Sequence, residues 1–150
     1  MTRFMTAFIM SSILQSLSGQ TLQPPVRTEV LSQATSSWDG TKYSSYPRGV
    51  PQLTVLKITI PPHTTLAWHR HPSPNAAYVL SGTLTVERKD GTKASFKTGQ
   101  AISESVNVVH RGTSGDDPTV LIVFYAGTSS LPLSESAMGT MNAPTGHSHP

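Results

Sequence analysis

Between Val50 and Gly127 the apolar positions recur in short runs with a period of two, and no run follows the helical period of about 3.6. Leu53 to Ile60 alternates apolar with polar or small residues and is stopped by Pro61-Pro62. Leu66 to His71 reads as a further strand, and Ala76 to Leu80 is continuously apolar. Thr83 to Arg88 alternates again. Asp90-Gly91 then gives a hairpin signature leading into Thr92 to Phe96. Gly99 marks another turn, and Val106 to His110 and Thr119 to Tyr125 complete the set. Arg27 to Ser32 and Thr41 to Tyr46 are expected to add edge strands. Short strands separated by frequent turn signals predict an all-β antiparallel sandwich or barrel of about six to eight strands.

The two ends read differently from the middle. Arg3 gives a short positive start, Phe4 to Leu17 is mostly apolar and uncharged, and Ser16, Ser18 and Gly19 are small. This is the layout of a secretory signal peptide over residues 1–19, with an amphipathic helix as the other reading. The apolar run is shorter than the about 20 residues that span a bilayer, so no stable membrane anchor is expected. The resulting division is a signal peptide at 1–19, an N-terminal extension with edge strands at 20–49, a barrel at 50–130 and a disordered tail at 131–150. The tail is small, polar and broken by Pro144 and Pro150, with His147 and His149 in it.

Composition narrows the function. Charged residues are 13% of the chain, roughly half the usual share. The net charge is +3, and its densest basic stretch, Arg88, Lys89, Lys93 and Lys97, surrounds a single turn. A nucleic-acid binder concentrates more charge on one face, so no nucleic acid is expected as a partner. The chain has no Cys, which excludes disulfides, thiolate metal sites and a cysteine nucleophile. No phosphate-binding glycine loop, nucleophile elbow or pair of carboxylates is present.

The histidines carry the chemistry. His69 and His71 stand two apart in a strand, so both side chains point to one face, with Cα atoms about 7 Å apart. Two imidazoles so placed can converge on one ion. His63, after Pro61-Pro62, is expected in a loop and not as a ligand.

The stretch His69-Arg70-His71, Pro72 to Asn75, Ala76 to Ser81 and Gly82, followed by Gly99, ten residues and His110, resembles the paired signatures of the cupin superfamily. The resemblance covers Thr54 to Gly127. It implies a double-stranded β-helix barrel with a mononuclear divalent transition metal (Zn, Fe, Ni, Cu or Mn) held by His69, His71 and His110. The family's glutamate position falls on Asn75, which implies Asn75 as fourth ligand or as a donor beside the ion. Asn brings no charge, so a divalent ion held by three His and Asn stays at +2, which favours an anionic ligand. Asn107 takes a turn site where the family has Gly, and Asn tolerates a left-handed backbone.

Glu104 is the one acid inside the second signature; its expected place is the exposed strand surface, with a cavity-facing base as the other reading. Tyr78, Phe96, Phe124 and Tyr125 are expected to pack, and Trp68 to face away from the site. These readings lead to an exported enzyme of oxygenase, isomerase or lyase type on a small metabolite, its catalytic residues unassigned. The alternative is a non-catalytic periplasmic module that binds a small molecule or metal. A sensory domain is disfavoured by the lack of a helix-turn-helix. Exposed sheet edges lead to the expectation of a homodimer.

Overall fold

The computed structural model describes residues 24–137. Residues 1–19, expected to be a signal peptide, and the His147–His149 pair lie outside the described residues. Among the described residues there is no helix, and so none long and apolar enough to cross a membrane.

Alternation sets the strands. They are β1 (Pro51–Ile60), β2 (His69–Arg70), β3 (Asn75–Ser81), β4 (Thr83–Arg88), β5 (Lys93–Lys97), β6 (Ala101–Ser103), β7 (His110–Ser114), β8 (Thr119–Thr128) and β9 (Glu135–Ser136). They form two sheets, β1-β8-β3-β6 and β5-β4-β7-β2-β9, whose strand pairs are all antiparallel. The inner faces enclose Ile60, Ala77, Val79, Leu84, Val86, Ile102, Leu121, Val123 and Tyr125, all buried. On β8 the buried residues Thr119, Leu121, Val123 and Tyr125 alternate with more exposed ones, as a strand with one face on the core requires. The fold is an all-β double-stranded β-helix.

Gly82 carries the chain from one sheet to the other, between β3 and β4. Its φ is +80°, and a Cβ there would lie 2.6 Å from the Pro118 carbonyl oxygen and 2.9 Å from Thr119 Cα. Only glycine suits both the backbone angle and the close approach.

Several expected elements shift. Arg27 to Ser32 and Thr41 to Tyr46 form no strands; the extension makes only an isolated bridge, Ser36 to Lys42. It is tied along β6 instead. Trp38 N donates to Ser103 O at 2.9 Å, and Tyr43 Oη donates to Glu104 O at 2.8 Å. These bonds cover a strand edge without adding a strand. Val106 to His110 is not a strand either: Asn107 turns it with φ 58°, and β7 begins at His110. The tail expected to be disordered from residue 131 runs along the barrel as far as Ala137. There β9 pairs with β2, and Arg70 meets Glu135 at 2.7 Å.

Candidate metal centre

His69 and His110 are cross-strand partners in the β2–β7 pairing, and His71 follows in a bridge to Val106. Antiparallel pairing thus brings two imidazoles from sequence-distant segments side by side. The ring centroids stand 4.7 to 5.1 Å apart, and one ligand nitrogen from each ring lies within 4.8 Å of the others.

The main chain fixes the tautomers. His69 Nδ1 lies 2.8 Å from Ala67 O, His71 Nδ1 2.9 Å from Leu133 O, and His110 Nδ1 2.9 Å from Val108 O. A carbonyl only accepts, so each Nδ1 carries the proton and each Nε2 keeps its lone pair. Burial pulls His71 down to about 4, against the Leu133 carbonyl and with help from His110 and His69. Burial also lowers His110, against the Val108 carbonyl. Both rings are neutral at physiological pH, the state in which imidazole ligates.

Oxygen groups of the four-stranded sheet face the rings. Asn75, at the start of β3, is buried; its Nδ2 donates to Ser73 O at 3.1 Å, and its Oδ1 has no hydrogen-bond partner. Tyr125 lies with its ring 5.6 Å from that of His71, and burial, then the charge of Glu104, pushes its phenol up to about 12.

Glu104 is not on the strand surface. It is 7% exposed, its Oε2 has no hydrogen-bond partner, and that oxygen lies 3.5 Å from His110 Nε2. Burial, then the charge of Asp39, pushes its carboxyl up to about 7. The signal was present in the sequence: Glu104 follows buried Ile102 by two and shares its phase. The same rule puts Tyr125 inward with Leu121 and Val123. His63 sits away from the cluster at a left-handed turn, φ 51°, beside Asp116. Trp68 faces outward, beneath Arg111 at 4.4 Å.

The histidines, Asn75, Glu104 and Tyr125 line a cavity of about 60 Å³ whose floor is apolar, from Ile58, Val86 and Leu121 among others. The donor set fits a cation. Three Nε2 lone pairs and two unpartnered oxygens line one small space, and such a cluster of acceptors is costly to bury unless a proton or a metal cation joins it. Three imidazoles with oxygen donors suit a divalent first-row ion.

Residues 56–125 match the family model of the cupin domain. This segment is a cupin domain. Its fold is similar to that of a chain from the crystal structures of the DMSP lyases RdDddP and RnDddQII. The identity there is 21% and the TM-score 0.50, over 57% of this chain and 44% of that one. It is also similar to DMSP lyase DddQ from Ruegeria pomeroyi DSS-3, at 15% identity and a TM-score of 0.51, over 65% of this chain and 47% of that one. The chain therefore spans less than half the length of either lyase structure. No curated protein matches its sequence.

Proposed function

We propose that this cupin is an exported protein that binds one divalent transition metal through His69, His71 and His110, with Asn75 Oδ1 as an oxygen donor, and uses it on a small anionic metabolite. The observation that carries the reading is the set of three clustered imidazoles, two buried and His69 half-buried, each tied at Nδ1 to a main-chain carbonyl so that Nε2 is left free. A polar carbonyl behind each ring fixes its direction and raises its basicity as a ligand. A bound divalent ion supplies Lewis acidity toward a carbonyl, enol or carboxylate, or oxygen chemistry where the metal is iron.

The chain's own residues set the limits of the reaction. The cavity of about 60 Å³ is far below the about 300 Å³ of a drug-sized pocket, so the substrate is small or enters by one end. The apolar floor excludes water beneath the reacting group, which strengthens electrostatic contacts above it. The reaction we propose is of isomerase, lyase or oxygenase type.

Export rests on residues 1–19, and mass spectrometry of the native protein is expected to find a start near Gln20. A homodimer rests on Leu53, Val55 and Phe124, apolar and exposed on the outer face of the four-stranded sheet. The deciding experiment is metal analysis of the chain purified without a histidine tag, with identification of any co-purified ligand. About one equivalent of a first-row metal is expected. No metal uptake, even after reconstitution, overturns the reading. A ligand that binds and leaves chemically unchanged gives the binding module instead of the enzyme.

A further inference from the structure

The family's carboxylate position holds Asn75, and the chain has a second acid one strand away. The β3–β6 pairing places Ala76 opposite Ser103, so Asn75 and Glu104 are the next pair in register, and Glu104 N donates to Asn75 O at 3.1 Å. Cross-strand partners present their side chains to the same face with Cβ atoms about 5 Å apart. Glu104 thus reaches the cavity from beside the vacated position, and its longer side chain extends past the shorter asparagine. Tyr43 Oη fixes the Glu104 carbonyl at 2.8 Å, which anchors the backbone behind the carboxylate.

The separation from His110 points the same way. At 3.5 Å, Glu104 Oε2 and His110 Nε2 are too far apart for a good hydrogen bond. Two donors each about 2.1 Å from one tetrahedral ion stand about 3.4 Å apart. Oε2 is buried without any hydrogen-bond partner, and a buried carboxylate oxygen left so is costly unless a proton or a metal cation meets it.

We infer that Glu104 is the anionic ligand of this metal centre, a carboxylate moved from β3 to the segment after β6, so that His69, His71, His110 and Glu104 hold the ion together. The inference rests on the metal-binding reading above. It changes the charge of the site: a divalent ion held by three imidazoles and a carboxylate carries a net +1 and not +2. Hard ions such as Mn²⁺ regain ground that three His and Asn would give up.

The test titrates the metal-stripped full chain with Mn²⁺ alone and with Zn²⁺ alone, by calorimetry. The variants are Glu104→Gln, Asn75→Ala, the double variant Asn75→Glu with Glu104→Gln, and His110→Ala. Glu104→Gln is expected to lose at least about tenfold in Mn²⁺ affinity, and more for Mn²⁺ than for Zn²⁺. Asn75→Ala is expected to lose less, and the double variant to recover most of the loss. Without metal, Glu104→Gln is expected to melt no lower than the parent, because it removes a buried unpaired carboxylate; a residue needed only for packing would lower melting instead. Mn²⁺ affinity in Glu104→Gln within about twofold of the parent overturns the inference, while the histidine site stands if His110→Ala abolishes binding. A parent that takes up neither ion overturns both. Should Glu104→Gln not fold, infrared difference spectra of the parent on adding one equivalent of Zn²⁺ decide the matter. A shifted carboxylate stretch supports Glu104, and an unchanged carboxylate region overturns it.

Discussion

The two walls of the cavity are built on opposite principles. The wall from the five-stranded sheet is nitrogen: His69, His71 and His110, each with Nδ1 bonded to a carbonyl of the chain. The wall from the four-stranded sheet is oxygen: Asn75 and Glu104, each with a buried oxygen that no hydrogen bond satisfies. One wall is complete before any ligand arrives. The other is complete only when something positive stands between them. A preorganised wall sets geometry and an unsatisfied wall supplies driving force, so substitutions on the two sides have different signatures.

The largest expected effect is on the nitrogen wall. His110→Ala removes one of the three proposed metal ligands and leaves the His69 ring without its cross-strand neighbour. Metal affinity is expected to fall about 100-fold or more, beyond the 10- to 100-fold typical of groups behind a ligand. Calorimetric titration with Zn²⁺ checks this. An affinity within tenfold of the parent would show that the rings are packing partners and not ligands.

Next comes the strand crossing that joins the two walls. Gly82→Ala places a Cβ against the Pro118 carbonyl oxygen at 2.6 Å in a left-handed conformation. The expected loss is about 3 kcal/mol of stability, read by denaturant unfolding. A smaller loss would show that the segment at Pro118 yields, and that the two sheets are less tightly registered than the contact implies.

The walls also respond to pH with opposite sign. His71 titrates near 4 in the fold against 6.5 in an ordinary imidazole. Its contribution is present above about 6.5 and is lost as pH falls toward 4, at most about 3 kcal/mol. Glu104 titrates near 7 against 4.5, so its contribution is present below 4.5 and is lost as pH rises through 7. In the metal-free chain the two trends oppose each other between about pH 4.5 and 6.5. Glu104→Gln is expected to remove the alkaline loss and leave the acid loss in place. Unfolding curves at pH 4, 6 and 8 check the split; a variant that tracks the parent at all three would remove Glu104 from the oxygen wall.

Much of this was readable from residue order. The period-two runs gave the barrel, and His69-x-His71 with His110 named the three rings, because strand alternation is local and needs no tertiary knowledge. Asn107 was readable as a left-handed turn because few residues tolerate one. What escaped was set by pairing across the chain. Glu104 looked like a surface acid because composition favours exposed carboxylates, although its phase with Ile102 pointed inward. Glu135 and Ser136 looked like tail because two polar residues carry no strand signal; β2 orders them by offering an edge and Arg70. The extension looked like edge strands because its residues favour extended backbone, but tertiary hydrogen bonds from Trp38 and Tyr43 hold it without a ladder.

The smallest effect on stability is expected on the outer faces, where the two sheets differ again. The five-stranded sheet presents charge and Arg111 over Trp68. The four-stranded sheet presents Leu53 and Val55 on β1, with Phe124 opposite Val55 on β8. Leu53 is 69% exposed and Val55 62%, so neither contributes much to the barrel, and Leu53→Lys with Val55→Lys is expected to change unfolding of a single chain by within about 0.5 kcal/mol. Its effect on assembly is the sensitive readout. If a second copy covers this row about a twofold axis, each lysine pair brings like charges onto an apolar contact twice over. Sedimentation at micromolar concentration is then expected to show a dimer for the parent, a dimer for Arg111→Ala on the charged sheet, and a monomer for the lysine variant. A monomeric parent at high micromolar concentration rejects the dimer. A dimer that survives both lysines places the contact elsewhere and leaves the apolar row as ordinary exposed surface.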